Sequence, residues 1–138
     1  MPLSHTFQLG AFRCHALEAG VQRLDGGAMF GVVPKPLWEK KSPPDKRNRI
    51  RLAANSLLVR TQNKSLLIET GNGTKWTPKL RDIYGIQEGD PLVDNLGSKG
   101  VRPDQIDRVL NTHLHFDHAG GNTKLVNDKA VPTFPNAK

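Results

Sequence analysis

The residues with the clearest chemistry lie in one short stretch. Three of the five histidines and one aspartate fall within six positions, as His113, His115, Asp117 and His118. Neutral imidazole nitrogens and carboxylate oxygens are the groups that bind zinc and similar divalent ions. We therefore predict that these four side chains are metal ligands. The alternative is a solvated polar loop, which would account for a single histidine better than for this cluster.

The spacing of these residues favours two metal ions. His113 and His115 are two positions apart, so extended backbone or a tight loop would let both imidazoles converge on one ion. Asp117 and His118 follow directly and would offer a second pair of ligands. In two-metal hydrolytic sites the ions lie about 3.5–4 Å apart and share an activated water. Helical zinc motifs instead place their histidines at i and i+4.

The stretch from Thr112 to Gly121 resembles the first metal-binding motif of the metallo-β-lactamase superfamily. That motif reads T-H-x-H-x-D-H-x-G-G, and every fixed position is present. The stretch from Asp25 to Lys35 also resembles the opening of the lactonase-like branch. The resemblance implies an α/β (α+β) fold, the N-terminal part of a four-layer αββα sandwich, with a mixed sheet that includes a β-hairpin.

The resemblance also implies a metal-dependent hydrolase. His113 and His115 would bind one Zn²⁺, and Asp117 and His118 a second, although other divalent metals are compatible with these ligands. A metal-held hydroxide would attack a small-molecule ester, lactone, thioester or amide, and catalytic Asp117 would orient it. Two alternatives stay open: a nuclease of the same superfamily, and a truncated metal-binding fragment without catalysis.

Two features depart from the family pattern. No histidine follows His118, whereas the superfamily's further ligands lie in the second half of its domain. Residues 1–138 are therefore interpreted as a single incomplete domain with an incomplete metal site. The superfamily commonly has I-D-T-G where this chain has Glu69 in place of the aspartate. The extra methylene is expected to disturb the support of the metal ligands.

Local patterns predict the elements that would position the histidines. Two apolar runs joined by four polar residues predict a β-hairpin, and a buried strand leads directly into the histidines. A short apolar run ending at Pro34 is expected in the core or, by resemblance, beside the substrate. The predicted elements are strands within 6–18, a hairpin of 55–60 and 65–69, helices at 37–40, 76–84 and 91–96, a helical turn at 103–105, and strands at 106–110 and 131–134.

Composition limits the remaining functions. The chain has 138 residues, a net charge of +7 and one cysteine, Cys14, so no internal disulfide can form. Seven basic residues lie between Lys35 and Arg51, and we interpret them as a solvated, proline-broken loop rather than a nucleic-acid surface. Without a secretory signal or a long apolar run, a cytoplasmic location is expected. The expected partners are a small-molecule substrate and a second copy bound through an exposed sheet, with no nucleic acid and no membrane.

Overall fold

The computed structural model describes residues 4–138, a mixed α/β fold, which confirms the predicted class. Within this range there are seven strands and five short helices. The strands are β1 (Ser4–Leu9), β2 (Phe12–Asp25), β3 (Arg49–Arg60), β4 (Ser65–Ile68), β5 (Arg108–Leu110), β6 (Thr123–Val126) and β7 (Lys129–Pro132). The helices are α1 (Gly26–Phe30), α2 (Lys35–Trp38), α3 (Pro78–Tyr84), α4 (Pro91–Ser98) and α5 (Phe116–Ala119).

The main sheet has the strand order β1-β2-β3-β4-β5, and only the β4–β5 pair is parallel. The predicted hairpin is confirmed as β3 and β4, although β3 begins six residues before the predicted strand, at Arg49. Its connection is closed by Thr61, whose hydroxyl oxygen accepts a hydrogen bond from the Lys64 backbone at 2.9 Å. Strands β6 and β7 form a separate antiparallel pair.

The parallel β4–β5 pair determines where the histidines emerge. Parallel neighbours need a crossover connection, here built from α3 and α4, and their carboxyl ends lie at the same edge of the sheet. Ile68 pairs with Leu110, and the Glu69 backbone N–H donates to the Leu110 carbonyl at 2.9 Å. Sites in α/β sheets commonly form at this edge.

Helix α4 covers one face of the main sheet. Asp90 begins the helix, because its side chain accepts a hydrogen bond from the Val93 N–H at 3.2 Å. The helix buries Leu92 and Leu96 in a core with side chains from β2, β3, β4 and the C-terminal segment, among them Leu17, Leu58, Leu67 and Phe134. Burying a side chain of this size contributes about 1.5–3 kcal/mol.

The opposite face of the sheet is apolar and only partly covered. Side chains two positions apart share a face, and the strand registers align one such set across the sheet. We call this set the open face; it comprises Phe7, Leu57, Val59, Leu66, Ile68 and Leu110. Leu110 is 52% exposed, so the expectation that residues 106–110 form a buried strand was wrong. Only alternate residues of β5 face the core.

Of the two positions expected for the run at Met29–Val33, the core was wrong, and a place beside the substrate stays a prediction. Helix α1 occupies residues 26–30, and Asp25 caps it by accepting a hydrogen bond from the Ala28 N–H at 2.8 Å. Val32 is fully exposed, and Met29 and Val33 are 47% and 42% exposed. An apolar run of five residues does not reveal whether packing partners exist. Among residues 4–138 there is also no helix with the length and hydropathy needed to cross a bilayer.

Candidate functional site

The four predicted ligands lie where the chain leaves the edge of the main sheet. His113 lies in a bend after β5 and His115 on extended backbone immediately before α5, and both are exposed. Asp117 and His118 lie within the single turn of α5 and are half-buried. The sequence analysis left extended backbone or a tight loop open for the first pair, and it did not predict the helical turn, which is too short to show a periodic pattern.

The structure brings the four side chains together. The ring of His113 lies 4.6 Å from that of His115 and 4.0 Å from that of His118, measured between centroids. His113 Nε2 and His115 Nδ1 are 3.1 Å apart, and His118 Nε2 lies 3.7 Å from Asp117 Oδ2. These imidazole and carboxylate donors fit zinc chemically. Across residues 4–138, however, no group of three or more His, Cys, Asp and Glu side chains is arranged to hold a metal ion.

Glu69 contacts the metal motif at two points. Its buried carboxylate accepts a hydrogen bond from the Thr112 N–H at 2.6 Å through Oε1, and Oε2 lies 2.7 Å from His118 Nδ1. Burial acts to raise the pKa of Glu69, but the hydrogen bonds from Thr112 and His118 outweigh it and hold that pKa below its usual value. The longer side chain therefore reaches His118 directly.

This contact fixes the protonation pattern of His118. An ionised carboxylate can only accept, so His118 Nδ1 carries the proton that it donates to Glu69. In a neutral His118 the lone pair is then on Nε2, the nitrogen that faces Asp117. A carboxylate behind a histidine orients the ring and raises its basicity in metal sites.

The backbone of His118 is also restrained. Its carbonyl accepts hydrogen bonds from the Thr70 N–H at 2.7 Å and from Asn111 Nδ2 at 2.9 Å. Asn122 Nδ2 in turn donates to Asn111 Oδ1 at 2.8 Å. The sequence analysis missed both asparagines, although their positions on either side of the histidine motif were a usable signal. The turn of α5 is thus held by hydrogen bonds from the segment that follows β4 and from the residues on either side of the histidine motif.

Asp117 has a buried partner that the sequence analysis also missed. Gln22, in the middle of β2, is 2% exposed, and its Nε2 donates to Asp117 Oδ2 at 3.2 Å. The two residues are 95 positions apart in the sequence. The only local signal was a polar residue inside a strand, which does not show what it contacts.

Glycines in the turn after β4 and in the turn after α5 allow these two turns to pack closely against each other. A Cβ added at Gly73 would meet the backbone of Gly120, and one at Gly121 would meet the Thr70 carbonyl. The close approach expected of the two glycines after the histidines is therefore confirmed. Lys75 crosses the same junction, because its Nζ donates to the carbonyls of Gly120 and Thr123, and burial lowers its pKa.

A small apolar pocket lies beside the histidine motif. It has a volume of about 200 Å³ and is lined by Asn72, Lys75, Trp76, Leu80, Phe116 and Gly120. The rings of Trp76 and Tyr84 pack on Phe116, each with a centroid separation of 5.3 Å. Trp76 and Tyr84 are both half-buried, and Trp76 also borders this pocket.

Comparisons with known proteins match this arrangement. A family model described as the metallo-beta-lactamase superfamily matches residues 49–138. An N-acyl homoserine lactonase of Bacillus thuringiensis is 33% identical over an alignment of 86 residues, and the match covers 54% of this chain and 34% of that protein. The matched segment thus spans about a third of the length of this curated relative.

Solved structures match over nearly the whole chain. A probable metal-dependent hydrolase from Staphylococcus aureus is 38% identical with a TM-score of 0.85, over 95% of this chain and 47% of that one. AidC, described as a dizinc quorum-quenching lactonase, has a TM-score of 0.73 at 23% identity, over 99% of this chain and 43% of its own. At that identity the likeness concerns the fold alone. The chain spans slightly under half of each structure.

Proposed function

This chain belongs to the metallo-β-lactamase superfamily, and on that premise we propose that it supplies metal ligands to a hydrolase of small-molecule esters or lactones, with thioesters and amides as further substrates. The observation that carries the proposal is the convergence of His113, His115, Asp117 and His118 at the edge of the sheet. We assign His113 and His115 to one metal and Asp117 and His118 to the other.

A bound divalent metal would polarise the substrate carbonyl and lower the pKa of a water from 15.7 to about 7. The chain's own residues supply the orientation. Glu69 leaves the Nε2 lone pair of His118 free for a ligand bond. Gln22 restrains Oδ2 of Asp117, so Oδ1 is the oxygen that can accept a hydrogen bond from the attacking water. The same carboxylate would take the proton that the water loses as it attacks and pass it to the leaving group.

The apolar pocket favours a substrate that carries a hydrocarbon chain. Trp76, Leu80 and Phe116 line it, and Phe116 lies inside the histidine motif. Each methylene that a substrate buries there would contribute about 0.8 kcal/mol of binding. The curated relatives are named as N-acyl homoserine lactonases. N-acyl homoserine lactones are therefore the first substrates to test on this chain.

A second candidate is a metal-binding chain that does not turn over substrate alone. Within the described range, no three metal-binding side chains are arranged around one point. Catalytic zinc sites generally use three protein ligands and a water. On this reading the remaining ligands come from another polypeptide segment or from a second copy, and metal binding by the purified chain is weak.

The deciding experiment is metal binding by the purified 138-residue chain. Zinc stoichiometry and affinity would be measured by equilibrium dialysis for the wild type, His113→Ala and His5→Ala, a histidine outside the motif. We expect zinc binding that His113→Ala weakens and His5→Ala leaves unchanged. Equal binding by all three proteins would refute the assigned ligands.

The number of ions separates the two candidates. Two tightly held ions, with hydrolysis of an N-acyl homoserine lactone in a proton-release assay, would support the hydrolase. One weakly held ion without hydrolysis would support the non-catalytic alternative.

A further inference from the structure

Gln22 is a polar residue enclosed at a position where an apolar side chain is the ordinary choice. It lies in the middle of β2 and is 2% exposed. Its Oε1 has no hydrogen-bond partner within residues 4–138. Buried polar atoms are nearly always hydrogen-bonded, because an unpaired one loses its hydration without replacement. This end of the amide therefore adds nothing to the stability of the fold.

The other end of the amide contacts a candidate metal ligand. Gln22 Nε2 donates to Asp117 Oδ2 at 3.2 Å. An ionised carboxylate can only accept hydrogen bonds, so the amide nitrogen is the atom that faces Asp117. Oδ2 is also the oxygen that lies 3.7 Å from His118 Nε2. Gln22 thus holds the carboxylate oxygen that lies on the side of the neighbouring candidate ligand.

A β-bulge directs the side chain of Gln22 inward. Leu17 pairs with Ser56 and Gln22 pairs with Leu52, and the register shifts just before Gly20. The two partners on β3 are four positions apart and share a face of the sheet, whereas Leu17 and Gln22 are five positions apart. The extra residue of the bulge therefore places Gln22 on the same face as the buried Leu17.

Backbone contacts link the bulge to the turn that carries Asp117. A Cβ added at Gly71 would meet the Ala19 carbonyl, which lies in the bulge. Gly71 also forms a β-bridge with Ala119, the last residue of α5. Asp117 and the packing that encloses Gln22 both belong to the described residues. The contact therefore does not depend on what covers the exposed surfaces of the chain.

We propose that Gln22 is a positioning residue for Asp117, which serves metal binding and adds no stability to the fold. Its amide fixes the carboxylate so that Oδ2 and His118 Nε2 are directed at the same ion. The proposal deepens the proposed function and rests on it, because it requires Asp117 to be a ligand. Glu69 orients His118 in a similar way. Each ligand of this pair is then oriented by one residue that is distant in the sequence.

Gln22→Met tests the proposal, because methionine is unbranched, has a similar length and carries no amide. Equilibrium dialysis would measure zinc affinity, and urea unfolding would measure the stability of the metal-free chain. We expect zinc affinity to fall about 10–100-fold, as when a residue that orients a ligand is removed, and the urea midpoint to stay the same or rise. A clearly lower midpoint would show that the amide serves the fold, which would overturn the proposal.

Ser56→Ala is the matched control for the loss of an enclosed polar atom. Ser56 lies on β3 and is 3% exposed, and its Oγ has no hydrogen-bond partner within the described range. Its urea midpoint should also stay the same or rise, while its zinc affinity remains that of the wild type. Equal losses of zinc affinity in Ser56→Ala and Gln22→Met would indicate a general effect of changing the interior and would refute the assignment.

A double-mutant cycle separates the orientation of Asp117 from a general structural effect. Gln22→Met would be introduced into the wild type and into Asp117→Ala. A residue that acts only through Asp117 has no effect once that carboxylate is gone. We therefore expect Gln22→Met to lower the zinc affinity of the wild type and to leave that of Asp117→Ala unchanged. A similar loss in both backgrounds would contradict the proposal.

The same measurements distinguish a failure of this proposal from a failure of the proposed function. If the wild type binds zinc more tightly than Asp117→Ala, and Gln22→Met binds it as tightly as the wild type, the ligand assignment stands and Gln22 has no part in it. If the wild type binds no zinc, or if Asp117→Ala binds it equally well, the assigned ligands are wrong and the role of Gln22 is refuted with them.

Discussion

Glu69 joins two parts of the site that are far apart in the sequence. It has a left-handed backbone (φ 66°), and its carboxylate serves both the Thr112 N–H and His118 Nδ1. Left-handed backbone is uncommon for a residue that is not glycine and costs of the order of 1–3 kcal/mol. The two hydrogen bonds offset this strain. Backbone geometry and ligand orientation thus depend on the same side chain.

We expect Glu69→Ala to weaken both stability and metal binding. The variant loses the hydrogen bonds that Glu69 accepts from the Thr112 N–H and His118 Nδ1, and each lost bond costs about 0.5–1.5 kcal/mol of stability. Loss of a carboxylate behind a ligating histidine typically lowers metal affinity about 10–100-fold. Urea unfolding and cobalt titration would measure the two effects.

The Glu69→Asp variant tests whether the length of the side chain matters. It keeps the charge but cannot span both partners, so its metal affinity should fall between those of the wild type and Glu69→Ala. Wild-type metal affinity in Glu69→Ala would show that the contact with His118 has no part in binding.

His15 makes stability depend on pH. Burial lowers its pKa below 6.5, helped by the charges of Arg13, Lys99 and Arg60. Its Nδ1 bonds to the Thr6 hydroxyl, while its Nε2 is buried and has no partner within the described residues. The unfolded chain therefore binds the proton more readily than the folded one. Stability is fully present above about pH 6.5 and is lost as the pH falls towards the folded pKa.

The test compares urea midpoints of the wild type, His15→Gln and His5→Gln across this pH range. His15→Gln should lose less stability on acidification than the wild type, because it has no proton to gain at this position. His5→Gln, at an exposed histidine, should follow the wild type. Identical pH profiles for all three would exclude His15 as the source.

Local spacing singled out the four candidate ligands, whereas the residues that contact them are distant in the sequence and were missed. His113, His115, Asp117 and His118 stand together in the chain, so residue types and intervals were enough to single them out. Gln22 lies 95 positions from Asp117, and Glu69 lies 49 from His118. Such contacts exist only once β2, β4 and β5 have joined one sheet, and no local pattern encodes that arrangement.

At the scale of elements, the turn after β4 and the turn after α5 fit only because glycines occupy both. We expect Gly121→Ala to destabilise the chain by about 1–3 kcal/mol, because its Cβ would meet the Thr70 carbonyl. The measurement is the midpoint of urea unfolding.

Gly97→Ala is the matched control for this prediction. Gly97 lies within α4, and a Cβ there would meet nothing within 4 Å. Alanine should therefore be neutral or stabilising by up to about 1 kcal/mol. A Gly121→Ala variant as stable as Gly97→Ala would show that the two turns are not tightly packed.

Most elements were predictable because their ends carry local signals. Helix α3 begins after Thr77 and ends at Gly85, and α4 begins after Asp90; the structure confirms both helices. Strand β2 was harder to predict. The register shifts between Glu18 and Gly20, which breaks the alternation of apolar and polar residues that identifies a strand. The prediction therefore ended at residue 18, although β2 continues to Asp25.

At the scale of the whole molecule, the two faces of the main sheet differ. Helix α4 buries one, while the open face keeps Phe7 39% and Leu110 52% exposed. An uncovered apolar sheet face promotes association. We expect the isolated chain to self-associate through the open face.

Leu110→Glu and Leu125→Glu test this expectation, because the two leucines are 52% and 51% exposed. Only Leu110 belongs to the open face. In sedimentation velocity, Leu110→Glu should shift the chain towards monomer, and Leu125→Glu should behave as the wild type. A monodisperse wild-type monomer at all concentrations would contradict the prediction.

The parallel pairing of β4 with β5 also affects the order of folding events. The β3–β4 hairpin closes a short loop and can form within about 1–10 μs, whereas parallel pairing must wait for a much longer loop to close. Until then Glu69 and His118, which are 49 positions apart in the sequence, are joined by unfolded chain. His113 and His115 need no such closure to meet an ion. Zinc that is present during refolding would therefore meet the histidine pair before Glu69 contacts His118. Zinc that is added after refolding would meet a site in which this contact has already formed.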